Sequence, residues 1–229
     1  MAVQTQKKLF TVDEYYKMAE VGILEPGDRV ELIHGEILKM SPIKSFHSSI
    51  VDALNEILVL LLHGKAIVKS QNPLHLDDYS EPEPDLTIAH FYTHKYRHQH
   101  PRPEDVHFLI EVADTTLQKD RKIKLPLYAE AGIAEVWIIN LKNHTVEVYT
   151  NPINGAYQEL NTLKIGDVLH FAGLGLELEV GQIFEWKMSL GLAKSEARIK
   201  FLLAFEANLS ALRIYNNCFF LLQLPLQAF

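Results

Sequence analysis

The chain has 229 residues, 48% of them hydrophobic and 22% charged, with a formal net charge of −7 at pH 7. Such a chain is long enough to bury a sizeable core in one α/β domain. Its single cysteine, Cys218, excludes an intramolecular disulfide, and its acidic balance argues against wholesale coating of nucleic acid.

Met1 to Phe10 is polar and lysine-bearing, with no long apolar stretch or small-residue cleavage site. It does not read as a secretory signal, and a cytoplasmic location is expected. Residues 11–20 predict a short helix with Thr11 as N-cap and Glu14 completing a capping box. His34-Gly35 is a two-residue turn between the strand-like runs Arg29 to Ile33 and Glu36 to Met40. From Ser45 to Gly64, apolar residues at Phe46, Ile50, Ala53, Leu54, Ile57, Leu58, Leu61 and Leu62 have the spacing of a helix with one buried stripe. Ser45 is its expected cap and Gly64 its stop.

Ala66-Ile67-Val68 and Leu74-His75-Leu76 predict strands, and the prolines in Glu81-Pro82-Glu83-Pro84 require an extended loop between them and the strand carrying Asp85. Residues 91–105, rich in His, Tyr and Pro, read as a surface excursion. His94 and His98 have helical i, i+4 spacing, but with no cysteine nearby and Pro101 and Pro103 following, a solvated or substrate-facing loop is preferred to a zinc site. Phe108 to Val112 suits a strand covered on both faces. Asp120 to Ala131 predicts a helix stopped by Gly132 and disturbed by Pro126. Glu135 to Ile139 returns as a strand parallel to the previous one, and Asn143-His144 turns into Thr145 to Tyr149.

The whole predicts a mixed α/β fold: a central mixed sheet flanked by helices, with an N-terminal hairpin and a helical C-terminal tail. The domain is expected over 1–186 and the apolar tail over 187–229. Leu190 to Leu212 has helical spacing, and Phe219 to Leu222 is strongly apolar, but Glu206 and Arg213 and the shortness of the apolar runs argue against a membrane span.

Chemistry concentrates where two strand-like runs, Pro84 to Ile88 and Phe108 to Ala113, each contain a carboxylate and precede a lysine-rich helix. Two acids on neighbouring strands beside a lysine are the parts needed to hold Mg²⁺ and activate a water at a phosphodiester. Asp85 alone is compatible with a plain turn residue. Glu111 is more informative, because an acid inside Phe108-Leu109-Ile110-Glu111-Val112-Ala113 costs several kcal/mol to bury unless paired or metal-bound. Basic residues flank it: Lys95, Arg97 and Arg102, then Lys119, Arg121, Lys122 and Lys124. Solvated surface is the bland account of such a cluster.

From Tyr15 to about Trp186 the chain resembles the Uma-type restriction-endonuclease-like family of the PD-(D/E)XK nuclease superfamily. The matching stretches are Val30 to Ile37, Met40-Ser41-Pro42 with His47, Pro84-Asp85-Leu86, Ile110-Glu111-Val112, Asp120 to Ile133 and Val136-Trp137-Ile138. The resemblance implies a restriction endonuclease-like core, Asp85 and Glu111 as ligands of Mg²⁺ or Mn²⁺, and DNA as substrate. Ala113 stands where the superfamily's lysine usually sits. In this family the lysine lies on the following helix, which maps to Lys124, with Lys122 as competitor. The Asp114-Thr115-Thr116 loop lacks the serine and proline that usually follow the glutamate. Glu31 and His47 are further candidates to reach the metal or orient a water, against plain readings as a cross-strand partner and a surface residue.

The expected function is divalent-metal-dependent endonucleolytic hydrolysis of DNA. The alternative is a nuclease-fold binding or regulatory module with weak or no catalysis. A homodimer is expected from the apolar tail and from the need for two sites on duplex DNA.

Overall fold

The computed structural model describes residues 6–185 apart from 26, 95 and 172. The tail expected over 187–229 lies outside the described residues. Among those residues, no helix is long and apolar enough to cross a membrane.

Helix α1 (Val12–Glu20) opens as the sequence predicts: Thr11 accepts from Glu14 N–H, and the Glu14 carboxylate accepts from Thr11 N–H. Strands β1 (Val30–Ile33) and β2 (Glu36–Lys39) form an antiparallel hairpin. Its turn needs positive φ at both central residues, and His34 and Gly35 have φ of 49° and 74°. Helix α2 (Ser45–Leu61) follows, with Lys44 at the N-cap and no side-chain cap bond. Ser45 is therefore inside the helix rather than its cap, because the Lys44 carbonyl already accepts from Ser48 N–H. Phe46 also departs from expectation. It is 48% exposed, since the first turn of α2 precedes the stretch Ile50 to Leu62 that meets the sheet.

Strands β3 (Ala66–Ser70), β4 (Leu86–His90), β5 (Val106–Ala113), β6 (Glu135–Asn140), β7 (Thr145–Ile153) and β8 (Ala156–Lys164) make one six-stranded sheet in that order. Only β5 and β6 pair in parallel, joined across the sheet's face by the helical segment as predicted. The sheet is mixed and flanked by helices. Leu74-His75-Leu76 is not a strand but an extended segment. Its N–H groups reach single carbonyls of Pro82, Pro101 and Ser80, and prolines 73, 82 and 84 deprive the neighbourhood of the donors a ladder needs.

Alternation along β5 divides the core. Phe108, Ile110 and Val112 join α2 in one cluster, together with Trp137, Ile139 and residues from β9 (Val168–Phe171), β10 (Leu176–Glu179) and α5 (Gly181–Phe184). Leu109 and Ala113 join Leu125, Tyr128 and Ile138 on the opposite face. Glu111 falls on that second face by its period of two.

The helix expected from Asp120 starts earlier and is not uniform. It consists of α3 (Leu117–Lys119), a π turn (Asp120–Lys124) and α4 (Leu125–Glu130), with Pro126 in the first turn of α4. Proline has no N–H to give the carbonyl four residues back, and the hydrogen-bond spacing widens just before it. The outcome is a face carrying Asp120 and Lys124 inward while Arg121, Lys122 and Ile123 stay exposed.

Candidate active site

The antiparallel register of β4 and β5 pairs Leu86 with Ile110 and Thr87 with Leu109. One step further, Asp85 stands opposite Glu111. The backbone confirms the approach, since Val112 N–H donates to Asp85 Oδ2 at 2.8 Å. The strands bearing the two acids are thus interior neighbours in the sheet, and the acids lie where β4 begins. An open cleft at this end is lined by Glu31, His47, Asp85, Glu111, Asp120 and Lys124, among others. All five residues singled out from the sequence meet in it.

Asp85 is held from three sides. Besides Val112, His47 Nε2 lies 3.1 Å from Oδ2 and Gln71 donates to Oδ1 at 3.3 Å. Burial pushes its carboxyl up, but the His47 hydrogen bond and charge and the Val112 N–H hold it below the ordinary range. His47 is raised in turn, chiefly by that hydrogen bond.

Glu111 is 4% exposed. Lys124 Nζ donates to its Oε1 at 2.9 Å and Tyr128 O–H to the same oxygen at 2.6 Å, which leaves Oε2 for the cleft. Burial pushes this carboxyl up to about 8, with the Asp85 and Asp120 charges adding to the rise against the pull of Lys124. Lys124 is itself buried. Burial lowers its affinity for a proton, yet Glu111, Glu31, Asp120 and Asp85 more than restore it, so the ammonium stays charged. The helix phase puts Lys124 against Glu111, while Lys122 faces solvent.

Glu31 comes from the hairpin and is 1% exposed. Lys119 donates to its Oε1 at 2.7 Å, Lys124 lies 3.5 Å from its Oε2, and Glu83 N–H reaches the same oxygen at 3.4 Å. Burial raises it, but the two lysines outweigh burial and hold it below its ordinary value. By register it stands across from Leu38 in the hairpin, and its carboxylate is taken by the lysines of the cleft.

Two contributors are not among the residues the sequence analysis singles out: Asp120 is buried with one oxygen unpartnered, and Tyr128 caps Glu111. Their signal is the i, i+4 stripe Asp120, Lys124, Tyr128, one face of the helix. Lys119, one of the basic cluster, neutralises Glu31. The basic cluster does not act as one patch. Lys119 and Lys124 enter the cleft, while Arg121 makes two bonds to Glu147 of β7.

The donor set fits a hard divalent cation in part. Asp85 and Glu111 offer carboxylate oxygens to one cleft, and a cation is what would keep Glu111 ionised near neutrality. No group of three or more His, Cys, Asp or Glu among the described residues is arranged to hold a metal. A cation here would draw on two carboxylates, main-chain oxygen and water, as Mg²⁺ commonly does.

Residues 12–181 match the model of a family described as "Uma2: Putative restriction endonuclease". The chain belongs to that family. The match runs from the first residue of α1 to the first of α5, so it encloses the whole sheet and cleft. Among solved structures, one from Anabaena variabilis ATCC 29413, described as a putative nuclease belonging to DUF820, superposes with a TM-score of 0.62 at 18% identity. The superposition covers 77% of this chain and 98% of that one, and at this identity it bears on the fold. No curated protein matches the chain. The Uma2 chain described here thus has a nuclease fold with its expected acids and lysine gathered in one cleft.

Proposed function

We propose that this Uma2 protein is an endonuclease that hydrolyses DNA phosphodiester bonds with a divalent metal, Mg²⁺ or Mn²⁺. The observation that carries the reading is the placement of Asp85 directly across from Glu111, with Lys124 bonded to the latter. Asp85 and Glu111 would hold the cation, which supplies Lewis-acid charge to the phosphate. His47, Gln71 and Val112 N–H fix Asp85, and Tyr128 and Lys124 fix Glu111, so both carboxylates are oriented before substrate arrives. Lys124 and Lys119 add positive charge to the cleft where a dianionic transition state would form. Glu31 anchors both lysines.

The test is incubation of the full chain with plasmid and linear DNA in Mg²⁺ or Mn²⁺. Cleavage is expected, and Asp85→Ala and Glu111→Ala should each lower it by several orders of magnitude. Unchanged cleavage in both variants refutes the assignment. A second reading, a binding or regulatory module, draws on the closed pairing of Glu111 and Glu31 with Lys124 and Lys119. It requires that Mn²⁺ calorimetry show no uptake at the cleft.

A further inference from the structure

Two buried side-chain polar atoms among the described residues make no hydrogen bond of good geometry: Nδ1 of His47, whose ring has the Val112 backbone as a neighbour, and Oδ2 of Asp120, whose carboxyl has the Thr116 side chain as a neighbour. Both residues line the cleft of Asp85 and Glu111, and they are close enough for the Asp120 charge to act on the imidazole. Buried polar groups in native proteins almost always have partners, and an orphan pair in one cavity points to a molecule between them.

The partners of Lys124 sharpen the point. Its Nζ lies 2.9 Å from Glu111 Oε1, 3.4 Å from the Glu83 carbonyl and 3.5 Å from Glu31 Oε2. An ammonium has three protons; two are given to Glu111 and the Glu83 carbonyl, and Glu31 stands at ion-pair distance. A nucleophilic water must find other contacts. Asp120 Oδ2 is an acceptor, and His47 Nδ1 donates or accepts according to the protonation of its ring. Water serves either case, and it keeps a lone pair free to face the phosphate.

We propose that His47 and Asp120 hold the attacking water of the hydrolysis, with Asp120 as its base. This rests on the phosphodiesterase reading above. An O–H bond of the water breaks and its proton passes to Asp120 Oδ2. The freed electron pair forms the new bond to phosphorus, and the bond to the leaving oxygen breaks with its pair kept on that oxygen, which takes a proton from solvent. Asp120 then releases its proton to solvent. His47 positions the water, and its own place is fixed by Asp85 through Nε2. Burial raises the Asp120 carboxyl, making it a stronger base than an exposed aspartate.

Crystals of the unliganded full chain, diffracting well enough to order solvent, are expected to show one water within about 3.2 Å of both atoms. A direct Asp120–His47 bond, a cation in that place or an empty space overturns the proposal, whatever the activity. In solution, Asp120→Asn is expected to keep its melting curve and its Mn²⁺ affinity while single-turnover cleavage falls about 100-fold or more. Cleavage within a few-fold of wild type, or loss of Mn²⁺ binding matching Asp85→Ala, overturns this proposal alone. Wild-type protein that cleaves no DNA overturns the nuclease reading and this proposal with it.

Discussion

Glu111 is the residue on which the cleft's energetics turn. The folded chain binds its proton far more tightly than the unfolded chain, whose glutamates titrate near 4.5, because the folded value is about 8. The stabilising contribution is therefore complete below about pH 4.5 and is lost as pH climbs toward about 8. For metal-free protein, the unfolding free energy of wild type should fall relative to Glu111→Gln by on the order of 1 kcal/mol per pH unit across that window. Urea titrations from pH 5 to 8 measure it, and a pH-independent difference contradicts it. Lys124→Met should destabilise the fold by about 1–3 kcal/mol, since it removes a buried donor from Glu111 while Glu31 keeps Lys119; the same titrations at one pH check this. The acids themselves were legible because burying an acid in an apolar strand is costly enough to demand a reason. Asp120 was not, because a helical acid ordinarily faces solvent, and only the π turn brings it inward with Lys124.

Elements differ in how much of their geometry the chain declares locally. Helix α1 and the β1–β2 hairpin were readable because each is set by a few adjacent residues, Thr11 with Glu14 and His34 with Gly35. The hairpin matters to the site, since it carries Glu31. A Cβ on Gly35 would sit 2.7 Å from Leu9 Cβ and 3.1 Å from the Phe10 backbone, at a φ of 74°. Gly35→Ala should therefore cost about 1–3 kcal/mol, read as a lower melting temperature, while Gly64→Ala, with similar φ and open space around it, should cost less. Segment 74–76 departs from the expected strand because its apolar alternation is real but its proline-bearing neighbours cannot complete a ladder. The N-cap of α2 lies one residue before the expected cap Ser45, the scale at which an N-terminus depends on backbone conformation rather than residue type.

At the scale of the whole molecule, the central strands were legible and the far ones were not. Strands β4, β5 and β6 are buried on both faces and advertise themselves as apolar runs. Strand β8 is exposed along nearly its whole length, so no apolar alternation marks it, although Asn154-Gly155 supplies the turn that returns β7 into β8. Strands β9 and β10 have four residues each, too short for a periodic signal. We also propose a homodimer, because a double-strand break requires two such clefts on opposite strands. Light scattering at micromolar concentration should give twice the chain mass of 26.2 kDa, and a monomer excludes it.

The pairing of Asp85 with Glu111 across β4 and β5 carries the functional account, and a crystal soaked in Mn²⁺ tests it most directly. The account predicts one anomalous peak about 2 Å from a carboxylate oxygen of each residue. A peak elsewhere, or none at millimolar Mn²⁺, would contradict it.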